Sequence, residues 1–149
     1  ERFELRGESN LAFELHTPDH AVEGDWDAPR LDQVLTNLVS NAVRYSPQGG
    51  TVHVSFHLSP EAVELQVRDQ GIGIPSESIA LLFQPFARAS NATARHFGGL
   101  GLGLFICREI VQRHGGTIWA ESPGAQLGSC FHVRLPREAP AVPVAAVAS

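Results

Sequence analysis

Glycine is concentrated at four points along this sequence, and these clusters limit where helices and strands can form. Two are pairs, Gly49-Gly50 and Gly115-Gly116, and two are longer runs, from Gly71 to Gly73 and from Gly98 to Gly103. Glycine loses the most backbone freedom on folding, so it is unfavourable inside helices and strands and marks turns and element ends. Each helix or strand near these clusters must therefore fit within a short segment between two of them.

The segments between the clusters alternate between helical and strand periodicity. In chain order the sequence predicts a strand (Leu11–Thr17), a helix capped by Asp27 and ended by Ser46-Pro47, strands at Thr51–His57 and Glu61–Asp69, a helix from Gly101–Gly103 to Gly115-Gly116, and strands at Thr117–Glu121 and Gly128–Leu135. The segment through Phe83 and Phe86 is expected to be irregular or briefly helical, and Ala87–Gly99 to be a mobile loop.

Helices interspersed with antiparallel hairpins predict an α+β fold. We expect a two-layer α/β sandwich in which helices cover one face of a mixed, mostly antiparallel sheet and the other face is open. The length of 149 residues suits one domain. We place this domain at residues 1–136 and expect residues 137–149, rich in Ala, Pro and Val, to be a disordered tail.

The composition excludes several classes of enzyme. All 11 basic residues are arginine, so P-loop enzymes, kinases that need a strand lysine and Schiff-base enzymes are excluded. The net charge of −5 disfavours nucleic acid as a partner. No apolar run is long enough to span a membrane, and Cys107 and Cys130 lack ligand-like spacing. The two thiols are typical of a protein in the reducing cytoplasm. Because methionine is absent, we expect the chain to be part of a longer protein, and that parent can be membrane-anchored.

The first predicted helix carries four polar residues on one side. Asn37, Asn41, Arg44 and Tyr45 gather beside the apolar stripe because of the helical repeat. Asparagine is a poor helix former and is costly when buried without a partner, so this stripe indicates a ligand or a polar network. Its oxygen suits Mg²⁺, and arginine suits phosphate. Taken alone, the stripe can also be interpreted as a solvent-exposed helix face with no ligand.

Two glycine motifs follow. Asp69-Gln70-Gly71-Ile72-Gly73 comes directly after a strand, where the backbone can turn sharply and the carboxylate can accept from an amino group. The run from Gly98 to Leu104 begins a helix, where exposed N–H groups favour phosphate. It is not a P-loop because Leu104 stands where lysine is required. An ordinary capped turn and a flexible hinge are the alternatives for these two motifs in isolation.

Together and in this order, the motifs resemble the catalytic ATP-binding domain of the sensor histidine kinases. The likeness covers Asp25 to Pro136: Asp25 and Leu31–Pro47 resemble the N box, Asp69–Pro75 the first glycine box, Leu81–Arg88 the F box, and Gly99–Gly116 the second glycine box. The resemblance implies a Bergerat-type ATP-binding fold, a left-handed crossover α/β sandwich that binds Mg²⁺-ATP beneath a lid at about Arg88 to Gly98.

The resemblance also implies roles for individual residues. Asn41 would be the Mg²⁺ ligand, Asn37 a partner on the phosphate side with a catalytic role, and Asp69 the acceptor for the adenine amine. The other implied nucleotide-binding residues are Arg44, Tyr45, Gly71, Gly73, Gly99, Leu100, Gly101, Leu102 and Gly103. Arg88 would be a catalytic lid cation, and Arg95 a second lid cation. Two positions depart from the family pattern: Leu100 replaces a small hydroxyl residue or His, and Arg44 replaces Lys.

Position 37 distinguishes between the functions that this fold serves. In the related ATPases and serine kinases, a Glu four residues before the Mg²⁺-binding Asn acts as a base, whereas here the residue is Asn37. Residues from Gln33 to Ala42 include no Asp or Glu. A neutral imidazole is already nucleophilic and needs less help from a base. Histidine kinase is therefore favoured, and the alternatives are a conformational ATPase or a non-catalytic nucleotide-binding module.

The phosphoacceptor histidine is expected to lie outside this chain. His16 lies in a predicted strand, with no helical hairpin before it. The resemblance therefore implies a separate dimerisation and phosphoacceptor domain of the same bacterial parent, and a response regulator receiver domain further along the phosphorelay. The chain itself is expected to be monomeric.

Overall fold

The computed structural model describes residues 2–4, 11–16, 24–85 and 102–137, with residues 2–4 described by their backbone. In chain order the elements are β1 (Arg2–Glu4), β2 (Leu11–His16), α1 (Ala28–Arg44), β3 (Gly50–Leu58), β4 (Ala62–Asp69), α2 (Ser76–Ile79), α3 (Gly103–Arg113), β5 (Thr117–Glu121) and β6 (Ser129–Pro136).

The described strands form one sheet in the order β1-β2-β3-β4-β6-β5. Strands β2 and β3 are parallel, and every other neighbouring pair is antiparallel. The parallel pair arises because α1 connects β2 to β3, so the chain returns to the sheet in its original direction. The predicted α+β fold with a mixed, mostly antiparallel sheet is confirmed.

Helix α1 follows its sequence signals closely. The Asp27 side chain accepts a hydrogen bond from the Arg30 N–H at 3.2 Å and caps the first turn, which also contains Pro29. Val34, Leu38 and Ala42 recur every four residues and are buried, so one stripe of the helix faces the core. The helix ends at Arg44, and the N–H of the next residue, Tyr45, donates to the Asn41 carbonyl at 3.0 Å.

The two faces of the sheet differ in character. Alternate side chains of β3, β4 and β6 point to the helices and are buried, and they include Val52, Val67 and Val133. Each such side chain contributes about 1.5–3 kcal/mol of hydrophobic stabilisation. Helix α3 joins this core through Cys107, Ile110 and Val111 and packs against α1. The opposite face carries polar side chains, in agreement with the expected open face.

The sequence did not predict β1, which has three residues and is too short for an alternating pattern. Arg137, assigned to the tail, donates its backbone N–H to the Glu61 carbonyl at 2.9 Å. The expected loop at Ala87–Gly99, the expected lid at Arg88–Gly98 and the rest of the tail lie outside the described residues. Among the described residues, no helix has the length and apolar character needed to cross a membrane.

Candidate functional site

Asp69 is a buried carboxylate at the end of β4, with 5% of its surface exposed. Its Oδ1 accepts from the backbone N–H groups of Gly71 at 3.0 Å and Ser129 at 3.2 Å, and its Oδ2 accepts from the Ser129 hydroxyl at 2.7 Å. Burial raises the pKa of Asp69, and these hydrogen bonds oppose the rise. A carboxylate has about four acceptor positions, so at least one remains for a further donor.

Gly71 lies directly against the end of α1. The Ile72 N–H donates to the Tyr45 carbonyl at 2.9 Å, and a Cβ atom at Gly71 would lie 1.8 Å from that same oxygen. Tyr45 is half-buried and packs on Ile72. Glycine is therefore required at position 71 so that the turn after β4 can contact the C-terminal end of α1.

Gly73 connects this turn to the segment between β5 and β6. Its φ is +75°, and a Cβ atom there would lie 2.0 Å from the Gly124 carbonyl. The Gln126 N–H donates to the Ile72 carbonyl at 2.6 Å, and the Ile74 N–H donates to the Ser122 hydroxyl at 3.0 Å. The Asp69–Pro75 turn is thus fixed on two sides by backbone contacts.

Asn37 links α1 to the start of α3. Its Nδ2 donates to the Gly103 carbonyl at 3.3 Å, and its side chain lies close to the Cys107 thiol, which donates to the Val34 carbonyl at 3.8 Å. Burial raises the pKa of Cys107 to about 11, so this thiol stays protonated at neutral pH. Leu102, the residue before α3, provides no capping side chain. The first N–H groups of α3 therefore have no cap from Leu102 and suit an anion.

Asn41 lies one helical turn beyond Asn37 and is half-buried. Its side-chain amide makes no hydrogen bond within the described part of the chain. Arg44, at the last position of α1, is exposed. The polar stripe of α1 therefore extends from the first turn of α3 at Asn37 to the glycine turn at Tyr45.

The structure brings most of the predicted site residues together. Helix α1 contacts Gly103 at one end of the stripe and Gly71 at the other, so Asn37, Asn41 and Tyr45 lie between the two glycine motifs. Four predicted site residues lie outside the described residues, namely Arg88, Gly99, Leu100 and Gly101, as does the second expected lid cation, Arg95.

Sequence reasoning missed the contribution of β6 and the segment before it. Ser129 donates twice to Asp69, and a Cβ atom at Gly128 would lie 2.3 Å from the Asp69 carbonyl oxygen. The available signal was Gly128-Ser129 at the start of a predicted strand. That signal gives no indication that β6 pairs with β4, 60 residues earlier in the chain.

The donors and acceptors of this region fit a nucleotide and a hard cation. Asp69 keeps an acceptor position for an amino group, and the buried Ser46 hydroxyl beside Gly71 has no hydrogen-bond partner among the described residues. Asn41 presents an amide oxygen with no hydrogen bond to any described residue, and such an oxygen is a ligand type that Mg²⁺ accepts. The start of α3 presents N–H groups that the Leu102 side chain does not cap, and these suit a polyphosphate.

Comparison with known proteins gives consistent matches. A family model described as "Histidine kinase-, DNA gyrase B-, and HSP90-like ATPase" matches residues 26–139. The sensor histidine kinase WalK of Bacillus subtilis is 42% identical over 126 residues, which are 82% of this chain and 20% of that protein. The adaptive-response sensory kinase SasA of Thermosynechococcus vestitus is 44% identical over 117 residues, 77% of this chain and 29% of that protein. This chain thus spans less than a third of each relative.

Solved structures of histidine kinases share the fold. The catalytic domain of the histidine kinase ThkA, in a nucleotide-free form, superposes with a TM-score of 0.74 at 32% identity, covering 87% of this chain and 82% of that one. The mycobacterial sensor histidine kinase MprB gives a TM-score of 0.71 at 34% identity, covering 86% of this chain and 84% of that one.

Proposed function

The chain belongs to the histidine kinase-, DNA gyrase B- and HSP90-like ATPase family, and from this premise we propose that it binds Mg²⁺-ATP and donates the γ-phosphoryl group to a histidine. The acceptor histidine lies on a separate dimerisation and phosphoacceptor domain of the same two-component sensor kinase, and a response regulator receives the phosphoryl group next. In this proposal residues 1–136 are the catalytic domain, residues 137–149 are a tail, and the isolated chain is a cytoplasmic monomer.

The base of ATP is assigned to the turn after β4. Asp69 accepts from the adenine amine, and Gly71 and Gly73 shape the pocket by keeping its wall free of side chains. The free acceptor position on Asp69 supports this assignment, because an exocyclic amine is a donor. The close approach of Gly71 to Tyr45 and of Gly73 to Gly124 fixes the position of this turn beside Asp69.

The phosphates and the metal are assigned to α1 and the start of α3. Asn41 is the proposed Mg²⁺ ligand, Asn37 and Arg44 lie on the phosphate side, and Tyr45 contacts the nucleotide. The backbone from Gly99 to Gly103, which includes Leu100 and Leu102, would hold the polyphosphate, and Arg88 would bring a cation from the lid. When bound, Mg²⁺ would neutralise charge on the phosphates. The polar stripe and the first N–H groups of α3 would position the nucleotide for in-line transfer.

One observation favours phosphoryl transfer to histidine over ATP hydrolysis. Asn37 occupies the position where a hydrolytic relative needs a base, and its amide donates to the Gly103 carbonyl. An amide has no useful basicity. No carboxylate stands between Gln33 and Ala42 to replace it. A histidine acceptor tolerates this arrangement because its neutral imidazole is itself a nucleophile.

The proposal is tested by incubating the chain with Mg²⁺-ATP labelled at the γ-phosphate and the phosphoacceptor domain of its parent. We expect acid-labile, alkali-stable label on that domain and no steady release of inorganic phosphate by the chain alone. Asp32→Asn, an exposed carboxylate on α1, is the matched control for Asp69→Asn and should transfer at the wild-type rate. Asp69→Asn should transfer much more slowly because it binds ATP weakly.

Two results would overturn the proposal. If the folded chain binds nucleotide but never labels the acceptor domain, it is a non-catalytic nucleotide-binding module. Steady phosphate release by the chain alone would identify a conformational ATPase and would require a base other than Asn37.

A further inference from the structure

A group of three potential metal ligands lies on the open face of the sheet, on the side away from the helices. It consists of Glu14 and His16 on β2 and His53 on β3. These positions alternate with Phe13, Leu15, Val52 and Val54, which pack in the core on the helical side. The group is therefore separated from the proposed nucleotide site by the thickness of the sheet.

The pairing of β2 with β3 brings the three side chains together. Glu14 is directly opposite His53 in the parallel register, and His16 is two residues further along β2 on the same face. Arg2 of β1 occupies the register position opposite Glu14 on the other side. The group thus depends on strand register, which the sequence alone does not reveal.

The distances within the group are too long for good hydrogen bonds. Glu14 Oε1 lies 3.4 Å from His16 Nε2 and 3.8 Å from His53 Nδ1, whereas such hydrogen bonds measure about 2.7–3.2 Å. All three ligand atoms lie within 4.8 Å of one another. Ligands of a tetrahedral zinc ion, each about 2.0–2.1 Å from the metal, are roughly 3.4 Å apart. The rings of His16 and His53 are nearly parallel, with centroids 6.1 Å apart, so chelation requires these side chains to rotate until the ligand atoms converge on one ion.

We propose that Glu14, His16 and His53 form a binding site for Zn²⁺. Two imidazoles and one carboxylate match the ligand preference of zinc, and three protein ligands leave a fourth position for water. Glu14 and His53 are each 33% exposed and His16 is 58% exposed, so an ion can enter from solvent. The bound ion joins β2 to β3, the two strands that α1 connects, and stabilises the folded chain in a zinc-dependent manner.

The test is a calorimetric titration of zinc chloride into metal-stripped chain, without ATP or Mg²⁺. We expect one zinc per chain for the wild type. His53→Ala, His16→Ala and Glu14→Gln should each weaken zinc binding by at least about 10-fold. Loss of a residue that only hydrogen-bonds a metal ligand already weakens metal binding by about 10-fold or more, and loss of a ligand should cost at least as much. His57→Ala is the matched control, because His57 is an exposed histidine on the same strand but outside the group. It should bind zinc like the wild type.

A second readout reports the ligands themselves. Cobalt added in place of zinc should give the intense visible absorption of a four-coordinate nitrogen and oxygen site in the wild type and in His57→Ala. That absorption should be absent from His53→Ala and from the milder His53→Gln, with circular dichroism used to check that each variant is folded. Unchanged zinc binding in the three ligand variants, or equal weakening in His57→Ala, would overturn the proposal.

Discussion

At the scale of single residues, the Asp69 carboxylate is the most constrained group of the proposed site. It is buried, and it accepts hydrogen bonds from Gly71, two positions later in the chain, and from Ser129 on the neighbouring strand β6. Burial disfavours the charged form of Asp69, whereas the hydrogen-bond donors favour it. The pKa of Asp69 is raised, which shows that the effect of burial is the larger of the two. Ionisation of Asp69 therefore costs folding free energy at the position where the proposed ligand offers a donor.

This balance predicts how Asp69→Asn changes stability with pH. The folded state of the wild type holds the proton more tightly than the unfolded state, so ionisation of Asp69 costs stability as pH rises from 3.8 through the raised pKa. Asparagine stays neutral, its oxygen can keep both backbone N–H donors, and its NH2 group can donate to the Ser129 hydroxyl oxygen, which replaces the bond that this hydroxyl donates to Asp69. The free energy of unfolding of Asp69→Asn, measured by urea denaturation, should therefore rise relative to the wild type across that window and equal or exceed it at pH 7. A variant less stable than the wild type at pH 7 would contradict this interpretation.

Ser129 provides the second prediction at this scale. Ser129→Ala removes the hydroxyl that donates to Asp69 Oδ2 at 2.7 Å, and a hydrogen bond to a charged group contributes about 1.5–3 kcal/mol. We expect the free energy of unfolding to fall by about 2 kcal/mol and ATP to bind roughly 10-fold more weakly. Ser129→Thr keeps a hydroxyl and should retain the wild-type stability and ATP affinity. Ser55→Ala, on the open face of β3, should change neither the stability nor the ATP affinity. If Ser129→Ala behaves like Ser55→Ala, the hydroxyl does not support Asp69.

At the scale of elements, α1 organises the site because it contacts both glycine motifs. Its N-terminal half reaches α3 through Asn37, and its C-terminal end reaches the turn after β4 through Tyr45. Its apolar stripe fixes its rotation on the sheet, and that rotation places the polar stripe between the two motifs. The site is therefore a consequence of how one amphipathic helix packs.

The two asparagines of α1 should differ in their effect on stability. Asn37→Ala loses the hydrogen bond to Gly103, so the free energy of unfolding should fall by about 1 kcal/mol. Asn41→Ala should leave it unchanged, because its side-chain amide has no partner within the described residues. Thermal or urea denaturation of both variants without ligand provides the comparison. Equal loss of stability in the two variants would contradict the assignment of Asn41 as a residue reserved for a ligand.

Substitutions of the glycines at the two ends of the polar stripe, Gly71 and Gly103, should differ in their effects on stability. A Cβ atom at Gly71 would collide with the Tyr45 carbonyl, so Gly71→Ala should lower the free energy of unfolding by about 3 kcal/mol or more. At Gly103 the nearest described atoms would lie 4.0 Å away, so Gly103→Ala should leave the stability unchanged or raise it by up to about 1 kcal/mol. Gly103→Ala should nevertheless weaken ATP binding if the backbone of this segment holds phosphate. A Gly103→Ala variant that binds ATP like the wild type would contradict that role.

The elements themselves were largely predictable from the sequence. The Asp27 cap and the four-residue spacing of Val34, Leu38 and Ala42 are local signals, and β5 has the predicted bounds. What the sequence could not provide are contacts between distant segments. The donation of Ser129 to Asp69 and the group on β2 and β3 both require strand pairing, which periodicity does not determine.

At the scale of the whole molecule, the sheet separates two surfaces. The helical side carries the proposed nucleotide site, and the open side carries the proposed zinc site. The net charge of −5 is unfavourable for a polyphosphate at long range, so binding must rely on local donors and on the metal. The absence of lysine is compatible with this arrangement, because arginine and backbone N–H groups can replace lysine at phosphate.

The proposed nucleotide site is tested most directly by a calorimetric titration of Mg²⁺-ATP into the chain and four variants. We expect one nucleotide per chain for the wild type. Asp69→Asn and Asn41→Ala should bind Mg²⁺-ATP roughly 10- to 100-fold more weakly. This is the range expected for Asp69→Asn when the adenine amine loses its acceptor, and for Asn41→Ala when the metal site loses a ligand. The matched controls on exposed positions of α1, Asp32→Asn and Thr36→Ala, should bind like the wild type. Equal binding by all five proteins would contradict the assigned site.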